Sequence, residues 1–465
     1  MALSTSATVR AASAGRVATK AELAFVADFA AQAGKLAGSG WVERVRRAAI
    51  DAFEANGLPS RRVEAFKYTD LRERLKDAWP VAGRSGAGPD AAVTGDTIDR
   101  GLGPMAQLDA HRLVFIDGAF RPELSDLAGL GASAESMALA PLLQKAPGWL
   151  EGKFTADRLG PPDAISRLNT AFMSDGLMLK IKPGQTPAKP VLLVMARAGA
   201  EPCAATLRHV IAMEAGSKLT LIEAHVALPG SAASGLGNVL TDVTVADGAS
   251  LDHICCARTG EAATHLSTVV AKVGANANYR IFQLTSSTGL VRNGLHVTLT
   301  GSGSKLDISG AFMARGREHI DTTLVVDHAV PDCESRELFK GVLDGRARGV
   351  FQGKIIVQPG ADGTDGKQMA KALMLSEDAE FDSKPELEIF ADDVACGHGA
   401  TCAELDPELM FYCRSRGIPE PDARALLIEA FIGEAIDKLG CDAIRTALMA
   451  IAQSWLREEA AASAA

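Results

Sequence analysis

The densest concentration of metal-capable side chains in the sequence is Cys396-Gly397-His398-Gly399-Ala400-Thr401-Cys402, which follows Asp392 and Asp393. In extended backbone, residues two apart project from the same face, so Cys396 and His398 are placed to approach one metal ion or one neighbouring subunit together. A thiolate beside an imidazole suits iron-sulfur or zinc chemistry. A mononuclear site normally needs three or four protein ligands, and no second Cys-x-x-Cys or His-x-x-x-His pair lies nearby. The cluster is therefore half of a site. Three readings stand open on the residues alone: a structural Cys with an incidental His, a self-contained zinc site that adds Cys402, and a site completed across a subunit interface.

The other candidates are weaker. Cys255 and Cys256 are adjacent, so on a strand they face opposite ways, and buried small residues are the better reading. Cys203, Cys333, Cys413 and Cys441 are isolated. His209, His225, His253, His265, His296, His319 and His328 fall among strand-like segments and some could line one face, with solvent-facing or hydrogen-bonded roles the default for each. Gly301-Ser302-Gly303-Ser304-Lys305 and the stretch 360–368 imitate phosphate loops without the Gly-x4-Gly-Lys-Ser/Thr spacing, and read as turns. No Gly-x-Ser-x-Gly elbow is present. The acidic stretch from Glu377 to Asp393 could attract iron but reads first as a solvated strand face.

The elements that position the cluster emerge from composition and pattern. A hydrophobic content of 47% in 465 residues allows a large core without covalent staples. The net charge of -9 and the lack of a Lys/Arg block argue against nucleic acid and acidic membrane surfaces as partners. Eight Cys, no signal-peptide core and no run of 18 apolar residues point to a reducing compartment, the cytoplasm. Residues 1–21 are rich in Ala, Ser and Thr and weakly resemble a transit peptide, a frayed terminus being the simpler reading.

Helical patterns run from Lys20 to Ala33 behind Thr19 and from Trp41 to Ala55, with a surface connection expected over 83–104 and a hairpin about Asp117-Gly118. This gives a mainly helical region with a short hairpin over residues 1–172. From Gly176 onward strands separated by Gly, Pro, Asn and Asp dominate for more than two hundred residues. Within them EAGSKLTL (214–221), ADGASLDH (246–253), VGANANYR (273–280) and GSGSKLDI (301–308) each join one strand to the next. Aligning Leu219, Leu251, Tyr279 and Leu306 gives separations of 32, 28 and 27 residues, a period suited to one turn of a β-solenoid. An antiparallel sandwich or barrel shares the strand texture but does not ask for a regular repeat. The strand domain is expected over 173–403, and helical periodicity returns over 404–465, where Leu426, Leu427, Phe431 and Ile436 mark an apolar stripe.

Two stretches carry a family resemblance. Phe339-Lys340-Gly341-Val342-Leu343-Asp344-Gly345 and then Arg348-Gly349-Val350-Phe351-Gln352-Gly353-Lys354-Ile355 resemble the signature of the SufB/SufD family of the SUF iron-sulfur cluster assembly system. The similarity continues through Lys384-Pro385-Glu386-Leu387-Glu388-Ile389, Asp392-Asp393-Val394, the Cys396 to Thr401 cluster, Phe411-Tyr412 and Ser415-Arg416-Gly417-Ile418. Leu58-Pro59-Ser60-Arg61-Arg62, Glu64, Phe66-Lys67-Tyr68-Thr69 and Leu71 resemble the family's entry motif, where Trp and Arg are commoner than Phe66 and Lys67. Gly397 and Cys402 depart from the commoner Ser and Val. The SufB branch usually has a Cys on the strand corresponding to Met369-Ala370-Lys371-Ala372-Leu373 and a Glu after the His, where this chain has Ala370 and Gly399, so it resembles the SufD branch.

What the resemblance implies is a mainly β protein, a right-handed parallel β-helix flanked by N- and C-terminal helical regions, acting as a non-catalytic scaffold. It implies pairing with SufB through the β-helix ends, a SufC ATPase carried on the C-terminal helices through Leu426, Leu427, Phe431 and Ile436, and a homodimer when alone. His398, with Cys396 beside it, matches the interface positions for iron or the nascent cluster. No cofactor is expected in the isolated chain; iron or an iron-sulfur cluster would pass transiently at the SufB–SufD interface, and flavin is a further candidate for the complex. A polysaccharide-active β-helix using Asp321, Asp327 and Arg336 is the enzymatic alternative.

Overall fold

A computed structural model describes residues 16–36, 38, 40–82, 93–145, 150, 152–154 and 163–463. Most of the targeting-like segment and residues 83–92 of the expected connection lie outside these. From Leu177–Ile181 onward, successive strands alternate between a nine-stranded and a ten-stranded sheet, so that two strands and their turns make one coil and each coil stacks on the last. The stacking is parallel throughout, apart from two short antiparallel pairings at the start, His111–Ile116 with Ala119–Phe120 and Ala134–Ala138 with Leu177–Ile181. This is a parallel β-solenoid of about eight turns.

The repeat read from the sequence is the physical ladder. Leu219 is the register partner of Leu251, Leu251 of Tyr279, and Tyr279 of Leu306. Three residues before each of these stands Gly216, Gly248, Asn276 or Gly303, with φ of 66°, 66°, 51° and 73°. The turn into this sheet requires a left-handed residue, which Gly and Asn supply at least cost, and that requirement is why the repeat shows in the sequence at all.

The two sheets enclose an inner core that includes Leu221, Leu251, Tyr279, Ile308, Leu324 and Phe351. Their outer faces are covered as well. Helices Lys20–Gln32, Gly40–Asn56 and Ala164–Phe172 share a core with Leu236, Leu266 and Leu290 of the nine-stranded sheet. Helices Glu420–Ile436 and Asp442–Ser463 lay Ile428, Ile432, Ile436 and Trp455 among Phe282, Leu284 and Met313 of the ten-stranded sheet. Thr19 caps the first helix in a reciprocal capping box with Glu22.

One reading of the N-terminal region changes and another is borne out. Part of the expected surface connection is a helix, Gly95–Leu102, capped by the Thr94 side chain and anchored by buried Ile98 and Leu102 four residues apart. Its Gly- and Asp-rich composition hid the spacing. The hairpin at Asp117-Gly118 forms, with both residues at positive φ, and its first strand joins the solenoid by pairing in parallel with Val191–Arg197.

The two ends of the solenoid differ. The first coil is closed off by the short antiparallel strands. At the other end Gly397–Ala403 and Glu380–Ile389 are the terminal strands of their sheets, each with one edge unpaired and with mostly exposed or half-exposed residues. An unpaired edge presents a row of free backbone donors and acceptors that another chain can extend.

Candidate functional site

The Cys396 to Cys402 cluster lies on this open rim. The strand Gly397–Ala403 pairs with Asp365–Met374, which puts His398 in register with Gln368. One coil deeper, Gln368 is in register with Glu337, and Glu337 with Ile308 of the inner core. Register partners on parallel strands project to the same side, so His398, Gln368 and Glu337 form a polar row running inward from the rim at steps of about 4.8 Å.

His398 is exposed, whereas Gln368 and Glu337 are each 3% exposed. Gln368 donates from Nε2 to the Gly353 carbonyl at 3.3 Å and leaves Oε1 without a partner. Neither carboxyl oxygen of Glu337 has a hydrogen-bond partner of good geometry. Burial pushes the Glu337 pKa up to about 8 against weaker pulls from nearby Ser335 and Arg336, so at neutral pH the row ends in a protonated acid.

Cys396 is half-buried, with its Sγ lying over Gly366. Burial pushes its thiol up, an effect that the Gly366 backbone N–H partly offsets. Cys402 is exposed and in register with Ala372. Among the described residues, Cys396, His398 and Cys402 do not bring three ligand atoms together around one point, so the self-contained zinc reading lacks its geometry. Much of the neighbouring acidic stretch is paired: Arg346 with Asp378, Arg348 with Glu380 and Asp382, Lys354 with Glu386 and Glu388, and Lys384 with Glu386.

The partner-binding residues expected on the C-terminal helices separate into two groups. Ile436 is buried against the sheet and is unavailable to a partner, because it belongs with Ile428 and Ile432 to the stripe that fastens the helix to its own domain. Phe431 is half-buried beneath Lys340, whose ammonium lies 4.3 Å from the ring centre and also bonds Glu434. Leu427 is half-buried, and Leu426 is exposed. The larger apolar surface lies where pattern reading did not place it, on helix Pro407–Ser415. There Leu409, Phe411 and Tyr412 are all exposed beside an open groove lined by Met374, Met410 and Arg424. Phe411-Tyr412 belonged to the resemblance, so the signal was present but was read as family sequence rather than as surface.

The histidines among the strands are mostly interior: His209, His225, His253, His265, His319 and His328 are all buried. Burial lowers the pKa of His209 to about 4 and of His319 to about 3, so both are neutral. Cys255 faces inward and Cys256 into the outer core, the opposition expected of neighbours on a strand. Asp321 is buried against Arg292 and Thr69, Asp327 accepts from Gln358, and Arg336 pairs with Asp365 on the other sheet, so the residues of a polysaccharide-cleaving groove are not brought together.

The class these observations define is a parallel β-solenoid protein, closed at one end and open at the other, with a thiol and an imidazole at the open edge. Residues 195–431 match the domain described as SUF system FeS cluster assembly, SufBD core domain, and residues 35–193 match the SufBD protein N-terminal region. The chain is 32% identical to the iron-sulfur cluster assembly protein SufD of Escherichia coli, over 85% of this chain and 88% of that one. It is 28% identical to an iron-sulfur cluster assembly SufBD family protein of Synechocystis over 85% and 86%, and 26% identical to SufD of Bacillus subtilis over 62% and 65%. The chain belongs to the SufBD family of the SUF iron-sulfur cluster assembly system. No helix among the described residues is long and apolar enough to cross a membrane.

Proposed function

We propose that this chain is the SufD-type scaffold of a cytoplasmic SUF complex. It pairs through its open rim with a SufB-type sister and carries a SufC-type ATPase on its C-terminal helices, with no turnover of its own. The observation that carries this reading is the position of His398 on a terminal strand with one free edge, at the mouth of an inward polar row. An imidazole and a half-buried thiol at an edge offer two soft ligands and a proton carrier, and a second chain that extended the sheet would bring further ligands to the same place. Iron or the nascent cluster is cargo at that junction.

The ATPase is assigned to the exposed Leu409, Phe411 and Tyr412 face together with Leu426. An apolar patch of this kind beside an open groove marks an interaction surface better than the stripe already used for intramolecular packing. Closure of the ATPase would pull on the C-terminal helices, which are seated on the strands leading to the rim, and so shift the population of the junction.

Co-purification tests the assignment. Phe411→Ser with Tyr412→Ser should abolish capture of the ATPase while leaving the sister subunit bound; unchanged capture would refute it. A chain that stays a monomer or homodimer when all three subunits are co-expressed would refute the wider reading.

A further inference from the structure

The most complete metal-ligand geometry among the described residues is inside the solenoid, away from the rim. Glu223, Cys255 and Gln283 are successive register partners on three coils, and His253 precedes Cys255 by two residues on the same face. The ligand atoms of Glu223, His253 and Cys255 all lie within 4.8 Å of one another. His253 Nε2 stands 2.9 Å from Glu223 Oε1 and 3.4 Å from Cys255 Sγ. A tetrahedral ion with ordinary bond lengths would ask for about 3.4 Å and 3.6 Å on those two edges, so the side chains need open only by tenths of an ångström.

The surroundings are those of a built site. The other ring nitrogen of His253 is held by the Tyr279 hydroxyl at 3.0 Å, which fixes the imidazole plane. Thr241 Oγ1 donates to Glu223 Oε1 at 3.1 Å, and His225 Nε2 lies 3.6 Å from Glu223 Oε2. Gln283 is 4% exposed and its Oε1 has no hydrogen-bond partner, leaving an unused acceptor in register with the thiol. Cys255 is half-buried. His225 also lines a neighbouring cavity with Arg197, Thr259 and His265.

Charge balance favours the same conclusion. The Nε2 to Oε1 contact needs one proton between its atoms, and the thiol carries another. A divalent ion that displaces both leaves the net charge of this buried cluster unchanged, so binding adds no uncompensated charge to the interior.

We infer that the solenoid interior binds one divalent transition-metal ion through Glu223, His253 and Cys255, with Gln283 Oε1 as the fourth ligand. A thiolate, imidazole and carboxylate set selects a borderline ion such as zinc or ferrous iron over calcium or magnesium. This inference does not depend on the reading of the rim.

Cobalt(II) is the probe. The full chain, stripped with chelator, is equilibrated with Co2+ in one sample and refolded with Co2+ in another, then dialysed. Bound metal is counted and the absorption spectrum recorded. The expected result is one ion per chain by at least one route, with a thiolate-to-cobalt charge-transfer band that is lost in Cys255→Ser and kept in Cys396→Ser. Glu223→Gln should weaken binding about tenfold or more. If Cys255→Ser does not give wild-type circular dichroism, Cys255→Ala takes its place. No retained cobalt by either route, a band that survives removal of the Cys255 thiol, or a band that vanishes in Cys396→Ser would overturn the site.

Discussion

His398 and Gln368 are register partners across the last two strands of the ten-stranded sheet, and the same register carries inward to Glu337. The exposed end of this row belongs to the rim, and its inner end is a carboxyl with both oxygens buried and unpartnered. That acid is kept neutral by its surroundings, and its pH behaviour can be measured.

Burial raises Glu337 from 4.5 to about 8 in the folded chain. Between those values the native state holds a proton that the unfolded chain has released. The contribution of Glu337 is therefore fully present below pH 4.5 and is lost as pH rises towards about 8, with a slope approaching 1.4 kcal/mol per pH unit in between. Urea unfolding from pH 5 to 9 should show wild type losing stability relative to Glu337→Gln across that range. Parallel curves for the two proteins would contradict the account.

Leu306 closes the ladder of Leu219, Leu251 and Tyr279 and is 3% exposed in the inner core. Leu306→Ala should cost about 2 to 5 kcal/mol in urea unfolding, because stacked coils on both sides limit how far the cavity can collapse. A cost below about 1 kcal/mol would mean that the side chain does not support the stack.

The ladder was legible because its turns demand left-handed residues at a regular period, and Gly216, Gly248, Asn276 and Gly303 supply them. Which face each strand residue takes was harder to read. Strand Ala204–Met213 is buried at nearly every position, since one face lines the inner core and the other meets covering helices, and the alternation that separates inside from outside disappears. The buried histidines were hidden for that reason. Glu223, Cys255 and Gln283 did carry a usable signal: each stands four residues after a ladder residue. Ile436 was misplaced because an apolar stripe looks the same whether it meets its own sheet or a partner.

Two glycines should respond oppositely to substitution. A Cβ on Gly301 would fall on the backbone of Ala275 in the adjacent coil, whereas a Cβ on Gly397 would meet nothing within 4 Å. Gly301→Ala should destabilise the chain by about 1 to 3 kcal/mol, since the coils would have to separate, while Gly397→Ser should stay within about 0.5 kcal/mol of wild type. Thermal melts of the two variants decide the point; equal shifts would contradict the stacking described.

The central claim is that the rim imidazole serves cluster assembly at a junction between chains. Its most direct measurement is anaerobic co-expression with the SufB-type and SufC-type subunits, following complex recovery and iron-sulfur absorbance for wild type and His398→Ala. The account predicts full recovery of the complex with cluster formation reduced about tenfold or more. Undiminished cluster formation in a His398→Ala complex would contradict it.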